Sequence, residues 1–180
     1  KESSAASDVY KRQILRLAGP ISSTMLSSLT TSSSTIANRH RRSFHTIIMQ
    51  TSTQRKATLT LQDGSTYTGW HFGATRQLAG EVVFNTAMNG YTESLTDPSY
   101  MGQILVMTYP MVGNYGVPAA TRDEYDIPNY YESDGCLMRA LIVNSYSPKY
   151  SHWNAEQSLG DFMAEQGVVG ITGIDTRALT

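Results

Sequence analysis

The sequence predicts an α+β domain in which strands dominate and one clear helix comes late in the chain. Three observations carry this expectation: apolar runs of strand length recur from Leu59 onward, Asp-Gly and Pro turns separate them, and only residues 151–167 hold a sustained helical spacing. With 180 residues and 40% hydrophobic content, the chain can enclose one core of ordinary size.

Residues 1–55 are expected to stand apart from that core. No Asp or Glu occurs in residues 9–62, whereas Lys11, Arg12, Arg16, Arg39, Arg41, Arg42, Arg55 and Lys56 all lie there. Residues 25–50, "MLSSLTTSSSTIANRHRRSFHTIIMQ", are rich in Ser and Thr and free of acid, the composition of an organelle transit peptide. The expectation is a disordered basic leader addressed to mitochondria. The alternatives are a basic tail without a targeting role and a cytoplasmic location. Residues 1–24 contain "SAASDVYKRQ", which resembles translated adaptor sequence, so the natural start is expected at Met25. The domain itself is expected over residues 56–180.

Its first element is a hairpin. Leu59 and Leu61 alternate with Thr58 and Thr60, Asp63-Gly64 supplies a turn with positive φ, and residues 66–72 alternate again. "EVVFNT" and "QILVMTYP" follow as strands, the second with a continuous apolar run that predicts burial on both faces. "CLMRALIVN", headed by Cys136, and "VVGITGI" complete the set. The late helix is expected between Ser151 as cap and Gly167 as left-handed stop, with Ala155, Leu159, Phe162 and Met163 on one face. A short helix is expected within residues 89–95. Asp175 has the chemistry to cap another whose body begins "RALT" and is expected to run on past Thr180.

Composition narrows the functional classes. From Ala57 onward thirteen acidic residues face five basic ones, which argues against a nucleic-acid surface on the domain. A single cysteine precludes an internal disulfide framework, and no apolar stretch approaches the roughly twenty residues a membrane-spanning helix needs. The nucleophile elbow G-x-S-x-G, the phosphate loop G-x-x-x-x-G-K-[ST], the zinc motif H-E-x-x-H and the dinucleotide fingerprint are all missing. The four histidines have no metal-ligand spacing, so no metal site and no catalytic residue is expected. Cys136 reads as a small buried hydrophobe. His71, Asp97 and Ser99 have the residue types of a hydrolase triad but lack its nucleophile turn and oxyanion donors.

The densest turn chemistry is Asp97-Pro98-Ser99-Tyr100, set just before the apolar strand at Ile104. Asp accepts local backbone N–H bonds and Pro arrives with φ preset, so the tetrapeptide is a sufficient β-turn without any ligand. On residue physics alone Ser99 is a small polar turn residue.

The strings "GEVVFNT", "GYTESLTDPSY", "YPMVGNYG" and "DTRALT", in that order, resemble the N-terminal domain of the small, glutamine-using subunit of carbamoyl phosphate synthetase, over residues 57–180. "SHW" and "YYESDG" are similar to eukaryotic forms, including those in which the glutamine-using part is fused to the synthetase. The resemblance implies a layered β/β/α domain of the swivelling type; a β-barrel with one appended helix is the alternative. It implies a class I glutaminase domain downstream in the same chain, which supplies the Cys nucleophile in a G-x-C-x-G elbow. It also implies a synthetase large subunit or fused synthetase region as partner, with ATP and Mg in that part and no cofactor in this one. From the family's L-T-D-P-S-Y it carries over one site residue, Ser99, as a contact to glutamine that positions without attacking. Asp97 and Glu93 are expected to be turn and packing residues. The competing class is a non-catalytic interaction module of the same fold with no glutaminase behind it.

Overall fold

In the computed structural model, which describes residues 12–16 as backbone and residues 55–180 in full, the strands in chain order are β1 (Arg12–Arg16), β2 (Lys56–Thr60), β3 (Thr66–Gly73), β4 (Leu78–Asn85), β5 (Ile104–Val112), β6 (Val117–Pro118), β7 (Ala140–Tyr146), β8 (Ala155–Gln157) and β9 (Val169–Thr172). The helices are α1 (Tyr91–Thr96), α2 (Leu159–Glu165) and α3 (Thr176–Leu179), with a 3-10 turn at Pro98–Tyr100.

The hairpin forms as its alternation predicts. Strands β2 and β3 pair antiparallel from Lys56 opposite Trp70 to Thr60 opposite Thr66, and Gly64 closes the turn at φ 87°, a conformation that costs glycine no Cβ clash. Ala57 and Leu59 are fully buried on one face while Lys56 stays in water.

Strands β4, β5, β7 and β9 run parallel, and the seven-strand order β1-β2-β3-β9-β7-β5-β4 closes a barrel. The continuous apolar runs are explained by what lies on either side. Ile104, Val106, Ala140, Ile142, Val169 and Ile171 pack inward with Ala57, Leu59 and Ile174. Their alternates Leu105, Met107, Leu141 and Val143 pack outward against Leu95 of α1 and Leu159, Phe162 and Met163 of α2. A wall of antiparallel strands, a wall of parallel strands and an outer layer of helices thus stand in order. The fold is α+β as expected; its strands close into a barrel, but among the described residues three helices and a 3-10 turn accompany it where the barrel alternative expected one helix.

Four boundaries differ from expectation. Strand β1 lies within the segment set aside as leader; it pairs antiparallel with β2 and with β4, covering two edges that would otherwise expose unpaired backbone. The transit peptide and the start at Met25 fall outside the described residues. The late helix begins at Leu159 and not near Ser151, because Ser158 caps it: its hydroxyl accepts from the Asp161 amide at 3.1 Å and donates to the Asp161 carboxylate at 2.7 Å. Ala155 is consequently not helical but belongs to β8, which pairs with β6 in a separate two-stranded sheet. Gly167, at φ 70°, does end α2, with the Val168 amide returning to Met163 O at 2.8 Å.

Cys136 does not head β7. Residues 136–139 make isolated bonds, among them Gly102 N to Leu137 O, Arg139 N to Gln103 O and Val169 N to Arg139 O, and the ladder starts at Ala140. The short helix and the Asp175 cap form as expected, the Asp175 carboxylate accepting from the amides of Arg177 and Ala178.

Candidate functional site

Helix α1 joins two sites of different character. At its carboxyl end the chain turns through Asp97-Pro98-Ser99-Tyr100 before entering β5. The Ser99 amide donates to Asp97 Oδ1 at 2.8 Å, the Tyr100 amide to Asp97 O at 3.2 Å and the Met101 amide to Pro98 O at 3.1 Å, which makes one 3-10 turn with Asp97 as its cap. The Ser99 amide, and after it the Ser99 hydroxyl, hold the Asp97 carboxyl below its ordinary value of 3.8. Ser99 itself is exposed.

Long-range tethers fix this turn. Asn85, the last residue of β4, donates through Nδ2 to Tyr100 OH and to Ser94 Oγ, each at 3.2 Å, while its Oδ1 accepts from the Ala87 amide at 2.7 Å. The Ser133 hydroxyl donates to Thr96 O at 2.6 Å and the Glu132 amide to Thr96 Oγ1 at 2.9 Å, so the terminal carbonyl of α1 is satisfied from another loop. Gly102, at φ 75°, lets the chain swing into β5. The turn therefore presents a hydroxyl on a backbone held from three sides, suited to orient a polar ligand.

Of the other residue types considered from the sequence, Asp97 meets Ser99 within the turn, whereas His71 is engaged elsewhere. His71 Nε2 lies 2.7 Å from Ala74 O and donates there, and the Asp97 carboxylate is turned to its own turn amide, so neither serves Ser99 as a triad would. Burial pushes the Cys136 thiol up to about 12, which removes the thiolate needed for nucleophilic attack at neutral pH. Among the described residues no group of three His, Cys, Asp or Glu side chains is placed to hold a metal ion, and no helix is long and apolar enough to cross a membrane.

At the amino end of α1 the structure shows a feature that sequence reading missed. A cleft of about 480 Å³ opens there, walled by Glu93, Tyr115, Tyr130, His152 and Trp153; Ser99 is not part of it. Its floor is rigid. Buried Tyr91 stacks on Tyr115 at 3.9 Å between ring centroids, the Tyr91 amide donates to Tyr115 OH at 2.9 Å, and Tyr91 OH donates to Gly116 O at 2.7 Å. Burial raises the pKa of both phenols, so both remain neutral donors. The wall residues come from segments that follow β4, β5 and β7 at their carboxyl ends, which is where parallel sheets leave room for ligands. The sequence signal was only that each of these segments carries aromatic residues, Tyr91, Tyr115, Tyr130 and Trp153 among them.

Comparison with known proteins places the chain in a family. Residues 59–180 match the family model described as carbamoyl-phosphate synthase small chain, CPSase domain. The chain is 48% identical over 134 residues to the carbamoyl phosphate synthase arginine-specific small chain of Aspergillus fumigatus, covering 74% of this chain and 30% of that protein. It is 48% identical over 127 residues to the protein of the same description from Neurospora crassa, covering 71% and 28%. With the multifunctional protein pyrABCN of Emericella nidulans it shares 54% identity over 133 residues, covering 72% of this chain and 6% of that one. The chain thus spans about 30% of the length of the small chains it matches. With the match running from the hairpin through the Ser99 turn to Thr180, the chain belongs to the carbamoyl-phosphate synthase small chain family, represented by its CPSase domain.

Proposed function

We propose that this domain works as the non-catalytic face of the glutamine site in a glutamine-hydrolysing carbamoyl phosphate synthase. The observation that carries the reading is the exposed Ser99, held on a tethered turn within the family match. In this reading the Ser99 hydroxyl hydrogen-bonds a polar group of glutamine and orients it, while a downstream class I glutaminase domain supplies the cysteine that attacks. Ammonia released there passes to a synthetase large subunit or fused synthetase region, which combines it with bicarbonate at the expense of ATP. In this reading ATP and magnesium act in the synthetase part, and the sequence of this domain carries no phosphate loop. In this reading the product serves arginine or urea synthesis, or pyrimidine synthesis; the Aspergillus fumigatus relative is described as arginine-specific.

The test is reconstitution. The purified 180-residue chain is expected to release no ammonia from glutamine, and joining it to its glutaminase and synthetase parts is expected to give glutamine-dependent carbamoyl phosphate. Turnover by the chain alone, or a natural transcript with no G-x-C-x-G downstream, would contradict the reading and favour an interaction module. For location, we propose mitochondria on the composition of residues 25–50. A fluorescent reporter fused to those residues should enter mitochondria and fail to do so when Arg39, Arg41 and Arg42 become Glu; a cytosolic wild-type reporter would reject the proposal.

A further inference from the structure

The cleft at the amino end of α1 has no part in the proposed glutamine contact, yet it is built like a binding site. Tyr115 is locked by its stack on Tyr91, His152 lies edge-on to Tyr115 at 6.3 Å, and Trp153 continues the aromatic surface 5.6 Å from His152. Trp153 is 85% exposed, the most exposed of the large hydrophobic side chains among the described residues. Into this aromatic frame projects Glu93. Its Oε2 accepts from the Thr92 hydroxyl at 2.7 Å, and no Lys or Arg among the described residues forms an ion pair with it; the described ion pairs are those of Arg122 with Asp126 and Asp134.

A carboxylate beside exposed aromatic faces selects a cation, and a planar one best, because a guanidinium can stack on a ring while its N–H groups meet the carboxylate. The excess of thirteen acidic over five basic residues from Ala57 onward draws cations toward the domain as a whole. A free amino acid fits less well. Its own carboxylate would need a cationic partner, and the lining contains neither Lys nor Arg. A side chain borne on a polypeptide brings no such carboxylate, and its flanking residues would cover the exposed indole.

We propose that the cleft between Glu93, Tyr115, Tyr130 and Trp153 docks an arginine side chain presented by a partner polypeptide. The site is separate from Ser99, and its test reads binding and not glutamine chemistry, so the two readings can fail independently.

The experiment titrates the 180-residue chain with acetyl-Gly-Arg-Gly-amide while following the Trp153 indole N–H resonance, assigned with Trp153→Phe. The same titration is run with the neutral citrulline peptide and with free L-arginine. Expected is a saturable shift with the arginine peptide, binding about fivefold weaker for the citrulline peptide, and a loss of about fivefold for the arginine peptide alone on Glu93→Gln. Trp153→Ala, at a side chain outside the core, lacks that probe and is titrated by calorimetry beside the wild-type chain; it should weaken both peptides. Equal binding of the two peptides, no saturable shift, or no effect of Glu93→Gln would overturn the proposal. Tighter binding of free L-arginine than of the capped peptide would also overturn it, by assigning the cleft to a small amino acid.

Discussion

The two ends of α1 solve the same structural problem with opposite means. At the amino end the chain is anchored by burial: Tyr91 is 3% exposed, stacks on Tyr115 and spends its hydroxyl on Gly116 O. At the carboxyl end it is anchored by polar bonds around an exposed turn, with Asn85 and Ser133 reaching in from other elements and Asp97 closing the turn locally. Burial provides most of the stability, and polar tethering provides a defined direction for a hydroxyl that remains open to a ligand. Substitutions at the first end should therefore cost the most stability, and substitution of the exposed Ser99 at the second should act on ligand use.

The largest expected effect is at Tyr91. Truncation by Tyr91→Ala removes a buried ring from beneath Tyr115 and should cost about 3 to 5 kcal/mol in denaturant unfolding. Tyr91→Phe keeps the stack but leaves Gly116 O without its donor, an expected loss of about 1 to 3 kcal/mol. If either variant unfolds at the wild-type denaturant midpoint, the amino end is not the anchor described.

A smaller effect is expected at Asp97, and it should depend on pH. The folded carboxyl titrates below 3.8, so its contribution is present above that value and is lost as pH falls through the lower folded value. Asp97→Ala should cost about 1 kcal/mol near neutral pH, and the gap to wild type should narrow in stability curves as pH falls below 3.8. A gap that is constant with pH would mean that the ionised carboxylate contributes nothing.

How much of this could be read in advance follows from the range of each interaction. Asp63-Gly64 and the alternation around it are local, and so are the Asp97-Pro98 turn and the Asp175 cap; all three form as expected. The burial of β5 on both faces was legible because residues 104–107 are apolar without interruption. The late helix was drawn too long because Ala155 falls by coincidence at helical spacing from Leu159, while the nearer cap at Ser158 went unweighed. Strand β1 owes its place to edges on β2 and β4 that no local pattern announces. The tethers from Asn85 and Ser133, and the cleft formed by Glu93, Tyr115, Tyr130 and Trp153, arise from segments brought together only by the sheet order. Ser99 stood out because its turn is local; what makes that turn rigid is not.

The smallest expected effect is also the most direct test. In an enzyme assembled with its glutaminase and synthetase parts, Ser99→Ala should remove one neutral hydrogen bond to glutamine, worth about 0.5 to 1.5 kcal/mol, and raise the apparent KM for glutamine several-fold. Carbamoyl phosphate synthesis from added ammonia bypasses the glutamine site and should be nearly unchanged, as should the unfolding midpoint. The decisive quantity is the ratio of glutamine-dependent to ammonia-dependent kcat/KM, measured on the same preparation. A several-fold fall in that ratio is the predicted result; an unchanged ratio, whether both activities hold or both decline together, would contradict the assignment and leave Ser99 as a turn residue only.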